Sequence, residues 1–426
     1  MTSRSDLHQL RPGFPGRGYD PTAAFSDLQW YFYHQRAVAY FGAFSTAAYD
    51  PAALVGFARA LIAAAPQFLQ GYRRRDGEPS DATLQRIVSL HTVAGFDGFP
   101  DGWIDDGARV NDDPDLPMFR IRVAQLAGGA DAQGRRSFVL VQVAHALTEG
   151  NDSARLSRSK AAGHQADPGP AAPVPLRSAL PARLMGHVHA LLHLAVSRLW
   201  TPHPGAVRPA SRRYPRRMLQ QIAREIGVSQ RALFLALVAH AITNAGTPAG
   251  RRVSATYTTL ADGGGEHRDR FMRMRLRFTA LDNRPDMASY ARAVDERLNR
   301  VETGYEAEAK ATALRFHRRL ARLMPLLYSP RFFSFWSYDV VFSLLTPHQI
   351  AGELTQGMME PLYCGTMIPG VNACIVVPGR EWVTFNFSVE AEKLGQVGRL
   401  DAAMHGLAAR LPATDAASVP IPELTA

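Results

Sequence analysis

The residues best placed to do chemistry lie between Gln142 and Leu156, in the run QVAHALTEGNDSARL. A strand-like stretch, Ser137 to Ala144, ends at His145. Four residues later stands a carboxylate, Glu149, followed by Gly150. Asn151, Asp152 or Ser153 can then cap a new helix. An imidazole, with an ordinary pKa of about 6.5, accepts a proton near neutral pH. A histidine held at a strand end, at the mouth of a cleft, therefore suits general-base chemistry. Gly150 lets the backbone turn sharply after it. A second reading stays open on these residues, in which His145 is a satisfied histidine at a strand end. Glu149 reads as structural before it reads as a proton carrier.

Other clusters suggest other chemistry. His187, His189 and His193 fall on one expected helix, and the last two are four residues apart, so they would share a face. No carboxylate or cysteine accompanies them. A basic amphipathic surface is preferred to a metal site, ordinary core is as good a reading, and no metal is expected. Arg273, Arg275 and Arg277 alternate in FMRMRLRF and read as a solvated strand face or as a holder of phosphates. Cys364 and Cys374 read as small, buried or half-buried side chains. No GxSxG elbow, reactive-cysteine signature, GxxxxGK[ST] loop or strand-borne GxGxxG occurs, so a covalent acyl-enzyme and a nucleotide cradle are not expected.

The elements that must position His145 can be read from pattern. Met118 to Leu126 and Ser137 to Ala144 alternate apolar and polar residues, and the glycines of 128–134 between them read as a hairpin loop. Leu28 to Phe44 is aromatic and β-branched and reads as one or two strands. Asp50-Pro51 opens a helix toward Gln70. Ser157 to Pro181 is the best linker, followed by a helix to Trp200 and an irregular stretch, Thr201 to Pro215. Helices are expected at Met218–Ile226, at Gln230–Asn244 (capped by Ser229 and buried), over Ser289–Leu323 and at Asp401–Leu411. Strands are expected at Arg252–Leu260, Phe271–Phe278, Val340–Leu345, Asn372–Val377 and Trp382–Val389. The division expected is residues 1–180, carrying His145, and 181–426.

The chain has 426 residues and a net charge of +10, carried almost wholly by arginine; lysine occurs only at Lys160, Lys310 and Lys393. The basic excess fits an anionic partner: nucleic acid, an anionic membrane surface or a phosphorylated cofactor. No helix-turn-helix, zinc or RNA-recognition signature is present, so nucleic acid is not the expected partner. Two cysteines and a polar, Gly/Pro/Arg-rich start from Met1 to Gly18 point to the cytoplasm, with no signal peptide and no transmembrane helix expected. Pro181 to Trp200 and Leu314 to Trp336 join arginines to large apolar side chains. Either can touch the inner face of a membrane, or can pack as a core-facing helix with a solvated basic side.

The His145 segment resembles the HHxxxDG motif of the CoA-dependent acyltransferase superfamily, most closely its bacterial wax ester synthase/diacylglycerol acyltransferase branch. Ala144 to Leu156 lines up with a run similar to HALxDGxSxxxL. Asp113 to Phe119 is similar to the stretch before the motif strand, Ile226 to Ser229 to the second-domain entry, and Val340 to Pro347 to the TNVPGP strand. Together these cover most of the chain. Ala144 replaces the first histidine, His145 falls on the family's catalytic base, and Glu149 replaces the aspartate that shapes the loop. Arg231 and Ala232 stand where Asn-Asp is common, and Ser343 where the Asn of TNVPGP stands.

The resemblance implies an α/β fold of two chloramphenicol-acetyltransferase-like lobes with an active-site tunnel between them. It implies that His145 takes a proton from an acceptor hydroxyl or amine as that acceptor attacks a thioester. Ser343, and after it Asn372, are candidate donors to the oxyanion. The acyl-CoA or acyl-carrier thioester would be a co-substrate, with no other cofactor. The acceptor would be a lipid or another hydrophobic alcohol. Two alternatives are a carrier-protein-dependent condensation-type acyltransferase acting on an amine, sugar or polyketide hydroxyl, and a condensation-like domain that binds without turnover.

Overall fold

The run from Leu28 to Phe44 splits into a helix and a strand rather than strands alone. Ser26 caps helix α1 (Asp27–His34): its hydroxyl accepts from the Gln29 N–H, and the Gln29 side chain accepts from the Ser26 N–H. This capping box, with Asp27 in the first turn, outweighs the β preference of the aromatic run. Arg36 ends the helix with φ 54°, a left-handed conformation, and turns the chain into β1 (Val38–Ser45). The computed structural model describes residues 20–23, 25–64, 66–73, 77–97, 103–104, 110, 113, 115–147, 176–199, 207–242, 252–260, 271–279, 286–299, 303–328, 332–333, 340–345 and 358–411.

The first sheet is five-stranded, in the order β2 (Val88–Val93), β3 (Phe119–Leu126), β4 (Ser137–Ala144), β1 and β9 (Met358–Met367). β3 and β4 form the expected antiparallel hairpin, and its connection uses Gly129 and Gly134 at φ 92° and 76°. Helix α2 (Pro51–Ala64) and short helix α3 (Asp81–Gln85) join this lobe. β9 comes from the later half of the chain and pairs antiparallel with β1. A division at residue 180 therefore does not separate the sheets. Gly365 makes the pairing of these two strands close, because a Cβ there would overlap the Tyr40 ring.

The second sheet has six strands, in the order β5 (Val207–Pro215), β11 (Trp382–Glu390), β10 (Ala373–Pro378), β8 (Val340–Leu344), β6 (Arg252–Leu260) and β7 (Phe271–Thr279). The stretch expected to be irregular, 201–215, thus contains an edge strand. Pro209 and Pro215 hid it, since proline is tolerated at an edge where no further ladder forms. The single helix expected over 289–323 is two helices, α7 (Met287–Asn299) and α8 (Thr303–Leu323). Helix α4 (Leu176–Leu199) begins inside the expected linker and runs through Pro181; residues 157–175 lie outside the described residues.

Helices α5 (Arg216–Glu225), α6 (Gln230–Ile242), α7 and α9 (Arg399–Ala408) form one apolar core with one face of this second sheet. α6 is capped by Ser229, whose hydroxyl accepts from the Ala232 N–H at 3.2 Å, and it is buried from Ala232 to Ala239. Behind β5, the Tyr214 hydroxyl donates to Asp401, and Arg212 Nε lies 3.1 Å from the same carboxylate.

Side chains alternate across a strand. Val340 and Phe342 of β8 and Cys374 and Val376 of β10 enter the helix-covered core. Val341 and Ala373, on the opposite face, join the core of the first lobe. Leu345 and Val377 pack against Phe41 of β1 and Cys364 of β9. The two lobes therefore meet along a seam between the β1/β9 side of one sheet and the outer face of β8, β10 and β11.

Candidate active site

His145 opens a short 3-10 turn, His145–Leu147, directly after β4. Its backbone N–H donates to the Ala37 carbonyl at 2.7 Å, the residue that follows the left-handed Arg36. Ala146 and Leu147 are buried, so the turn is anchored while the imidazole stays half-buried. The ring stacks on Phe32 of α1, with centroids 4.3 Å apart and planes 21° apart.

The position of Phe32 is fixed from both ends of α1 by residues distant in sequence. Arg318 of α8 donates to the Phe25 carbonyl at 2.6 Å and to Asp27 Oδ1 at 3.1 Å. The Gln35 amide donates to the Phe333 carbonyl at 3.0 Å. The Arg318 bonds are charge-assisted, a kind about twice as strong as neutral ones. Phe32 carries no sequence signal of this role: it sits in an aromatic run and follows no spacing from His145. Glu149 and Gly150 lie outside the described residues.

Across the seam, the strand register defines rows on the outer face of the second sheet. Ser388, Ala373 and Val341 form one row; Asn386, Ile375 and Ser343 form the next. Ser343 shares its face with Val341 and Leu345 and so is directed to the first lobe, partly accessible. The end of β4 contributes Ala144, Ala146 and Leu147 to the same core as Val341 and Ala373. The turn that carries His145 thus borders the core that Val341 and Ala373 also enter, and Ser343 follows Val341 on that face of β8.

Asn372 has a different setting. It is buried; its carbonyl accepts from the Val341 N–H at 2.8 Å and its side-chain oxygen from the Glu390 N–H at 3.0 Å. Its amide nitrogen lies 3.5 Å from Glu390 Oε2, and Lys393 holds the same oxygen at 2.5 Å. Asn372 thus ties the starts of β8 and β10 to the end of β11. Sequence reasoning passed over Thr366 of β9 and Ser388 of β11. Each buries a hydroxyl that has no hydrogen-bond partner among the described residues, and each faces the seam. A buried hydroxyl without a partner costs about 1–3 kcal/mol, so such groups merit notice beside a candidate site.

The remaining candidates separate. His189 is exposed, whereas His193 turns inward, its Nε2 3.3 Å from the Phe332 carbonyl and its ring 5.7 Å from that of His317. The two therefore do not share an environment, because the packing boundary with α8 falls between them. His187 Nδ1 lies 2.9 Å from the Arg183 carbonyl. Among the described residues no three His, Cys, Asp or Glu side chains gather as metal ligands. Arg273, Arg275 and Arg277 lie on edge strand β7, with side chains outside the description. Burial pushes the Cys364 thiol up to about 12 and raises Cys374 well above its usual range, so both are neutral thiols near pH 7.

No protein-family model and no curated protein sequence matches this chain. Solved structures do. The trichothecene 15-O-acetyltransferase TRI3 from Fusarium sporotrichioides superposes over 90% of this chain and 94% of its own, with TM-score 0.57 and 9% identity. The condensation domain of the monacolin K polyketide synthase MokA covers 90% of this chain and 96% of its own, with TM-score 0.52 and 12% identity. The EpoB cyclization-docking bidomain from Sorangium cellulosum covers 95% and 89%, with TM-score 0.52 and 12% identity. At such identities the likeness concerns the fold alone: this chain has the two-lobed, chloramphenicol-acetyltransferase-like α/β fold found in acyltransferases and condensation domains.

Proposed function

We propose that this chain is an acyltransferase that moves an acyl group from a CoA thioester to the hydroxyl of a lipid or other hydrophobic acceptor, with His145 as general base. The observation that carries this reading is the half-buried His145 imidazole at the end of β4, braced by Phe32, where two lobes of an acyltransferase-type fold share a core. In this mechanism His145 takes the acceptor proton as the acceptor oxygen attacks the thioester carbonyl. The Ser343 hydroxyl donates to the developing oxyanion. The tetrahedral species then collapses, the C–S bond breaks, and the proton held by His145 passes to the departing thiolate. Asn372 is the weaker donor candidate, since its amide already serves Glu390. Glu149 and Gly150 are proposed to shape the loop behind the base. The residues of the wax ester synthase-like motif motivate the choice of acceptor, and a cytoplasmic setting is proposed with it.

The test is acyl transfer from a series of acyl-CoAs to long-chain alcohols and diacylglycerol, read as free thiol and ester product. The native chain is expected to turn over, and His145→Ala to lose about 10²–10⁴-fold in rate with an unchanged melting temperature. An unchanged rate in that variant removes His145 as the base.

A second reading rests on the similarity to condensation and cyclization domains. The donor would then be an acyl carrier protein thioester and the acceptor an amine, sugar or polyketide hydroxyl. Release of thiol from carrier-bound but not CoA-bound acyl groups selects it. Binding of acyl-CoA with no thiol released on adding any acceptor selects a non-catalytic, condensation-like domain.

A further inference from the structure

Among the described residues, the large apolar side chains that remain exposed gather in one place. Apart from Leu394, every one lies on α4 or at the end of α8 and the turn that follows it. α4 packs on α8 through its small residues. Ala182, Gly186 and Ala190 are buried, and a Cβ at Gly186 would collide with the Ala309 carbonyl. These three recur every four residues and mark one face of the helix. On the opposite side, Leu184, Leu191 and Leu192 are 66%, 55% and 56% exposed.

The two helices run side by side in the same direction, since Arg183 meets Glu308 while His193 meets His317. Leu199 therefore lies at the same end as Leu323 and Leu326, which are 78% and 96% exposed. A soluble monomer seldom leaves so continuous an apolar surface uncovered.

Arginines predominate around this surface, and two of them, Arg183 and Arg315, share Glu308. α4 carries Arg177, Arg183 and Arg198 and no acidic residue. α8 carries Arg315, Arg318, Arg319 and Arg322 and no acid after Glu308. Arg315, Arg319 and Arg322 are exposed. α4 is about 36 Å long, yet among the described residues no single helix is long and apolar enough to cross a bilayer. An apolar outer face with a margin of exposed arginines suits a helix lying in the plane of a membrane interface, with its leucines among the acyl chains and its arginines at phosphates.

We propose that the outer face of α4, together with the turn at 323–326, docks this protein on an anionic phospholipid surface. The inference is independent of the acyltransferase reading, and its test uses no substrate. The full chain is sedimented with vesicles of phosphatidylcholine alone and of phosphatidylcholine with 30% phosphatidylglycerol, taken as about a third anionic lipid. Binding is expected to the anionic vesicles, and to weaken in high salt.

The double variant Leu191→Glu/Leu192→Glu changes exposed positions and should melt like the native chain, while losing at least about tenfold in partitioning. Arg319→Gln/Arg322→Gln should lose on the order of tenfold on anionic vesicles alone. Absence of binding to anionic vesicles overturns the proposal, as does equal binding to both vesicle types that neither double variant alters. A dimer of the free protein that the leucine variant dissolves overturns it in favour of a second copy on this face.

Discussion

The two lobes meet at one seam but bury their polar groups in different ways. Behind the first sheet lies a cluster of rings, Trp30, Tyr328, Phe332 and Phe333, with His34, His193 and His317 among them. Burial lowers His34 and His193 to about 4 and His317 to about 3, so these imidazoles are neutral in the folded chain near pH 7. Behind the second sheet, a carboxylate, Asp401, is held by Tyr214 and Arg212. The first lobe thus buries neutral imidazoles among aromatic rings, and the second buries a carboxylate between a phenol and a guanidinium. On the proposed function this difference is a division of labour: one side stacks the proposed base, His145, on a ring, and the other presents the Ser343 and Ser388 hydroxyls on a sheet.

The strongest probe of that division compares His145→Ala with Ser343→Ala in the same transfer assay. The first should cost about 10²–10⁴-fold, and the second about 10²-fold, concentrated in kcat. A silent Ser343→Ala would leave the second lobe without its assigned part. Next in size is Phe32→Leu, which keeps apolar volume but removes the flat face under the imidazole. It should lower kcat roughly tenfold with little change in KM, at a stability cost under about 1.5 kcal/mol. Phe32→Tyr should restore the rate, a rescue that general core damage would not give.

The smallest effect concerns acid. The three buried histidines have folded pKa values near 3 to 4, below an unfolded value of about 6.5. Between those limits the unfolded chain binds more protons, so stability rises with pH there. It is complete above about pH 6.5 and is lost as pH falls toward 4. Thermal melts from pH 7.5 to 4.5 should show a falling melting temperature, with a shallower slope in His317→Asn. Parallel slopes in both proteins would break the contrast between the lobes.

Sequence pattern reveals much of the frame on which the site hangs. β3 alternates and β4, though buried throughout, follows it across the glycines that mark the hairpin, and α6 is almost wholly apolar and buried. Other elements hide for physical reasons. α1 is aromatic, and its helical state comes from a cap rather than from its own residues. β5 holds two prolines and three arginines because it is an edge strand. β9, MMEPLYCGTM, lacks alternation, and its partner β1 is more than 300 residues away, so local pattern is silent about it. At the site, a motif resemblance singles out His145 and Ser343. Phe32, Thr366 and Ser388 become visible only when distant strands and helices are brought together.

The excursion of β9 limits how the molecule can move and how it can be taken apart. β8 and β10 are neighbours in the second sheet, while the strand between them in the chain is hydrogen-bonded into the first. The backbone therefore crosses from one lobe to the other and back, like a stitch. Any widening of the seam must pivot around that stitch, and the lobes cannot drift apart as beads on a tether would. For the same reason the two halves are not interchangeable modules: a fragment ending near residue 180 would present β1 as a raw edge, ready to pair with another chain.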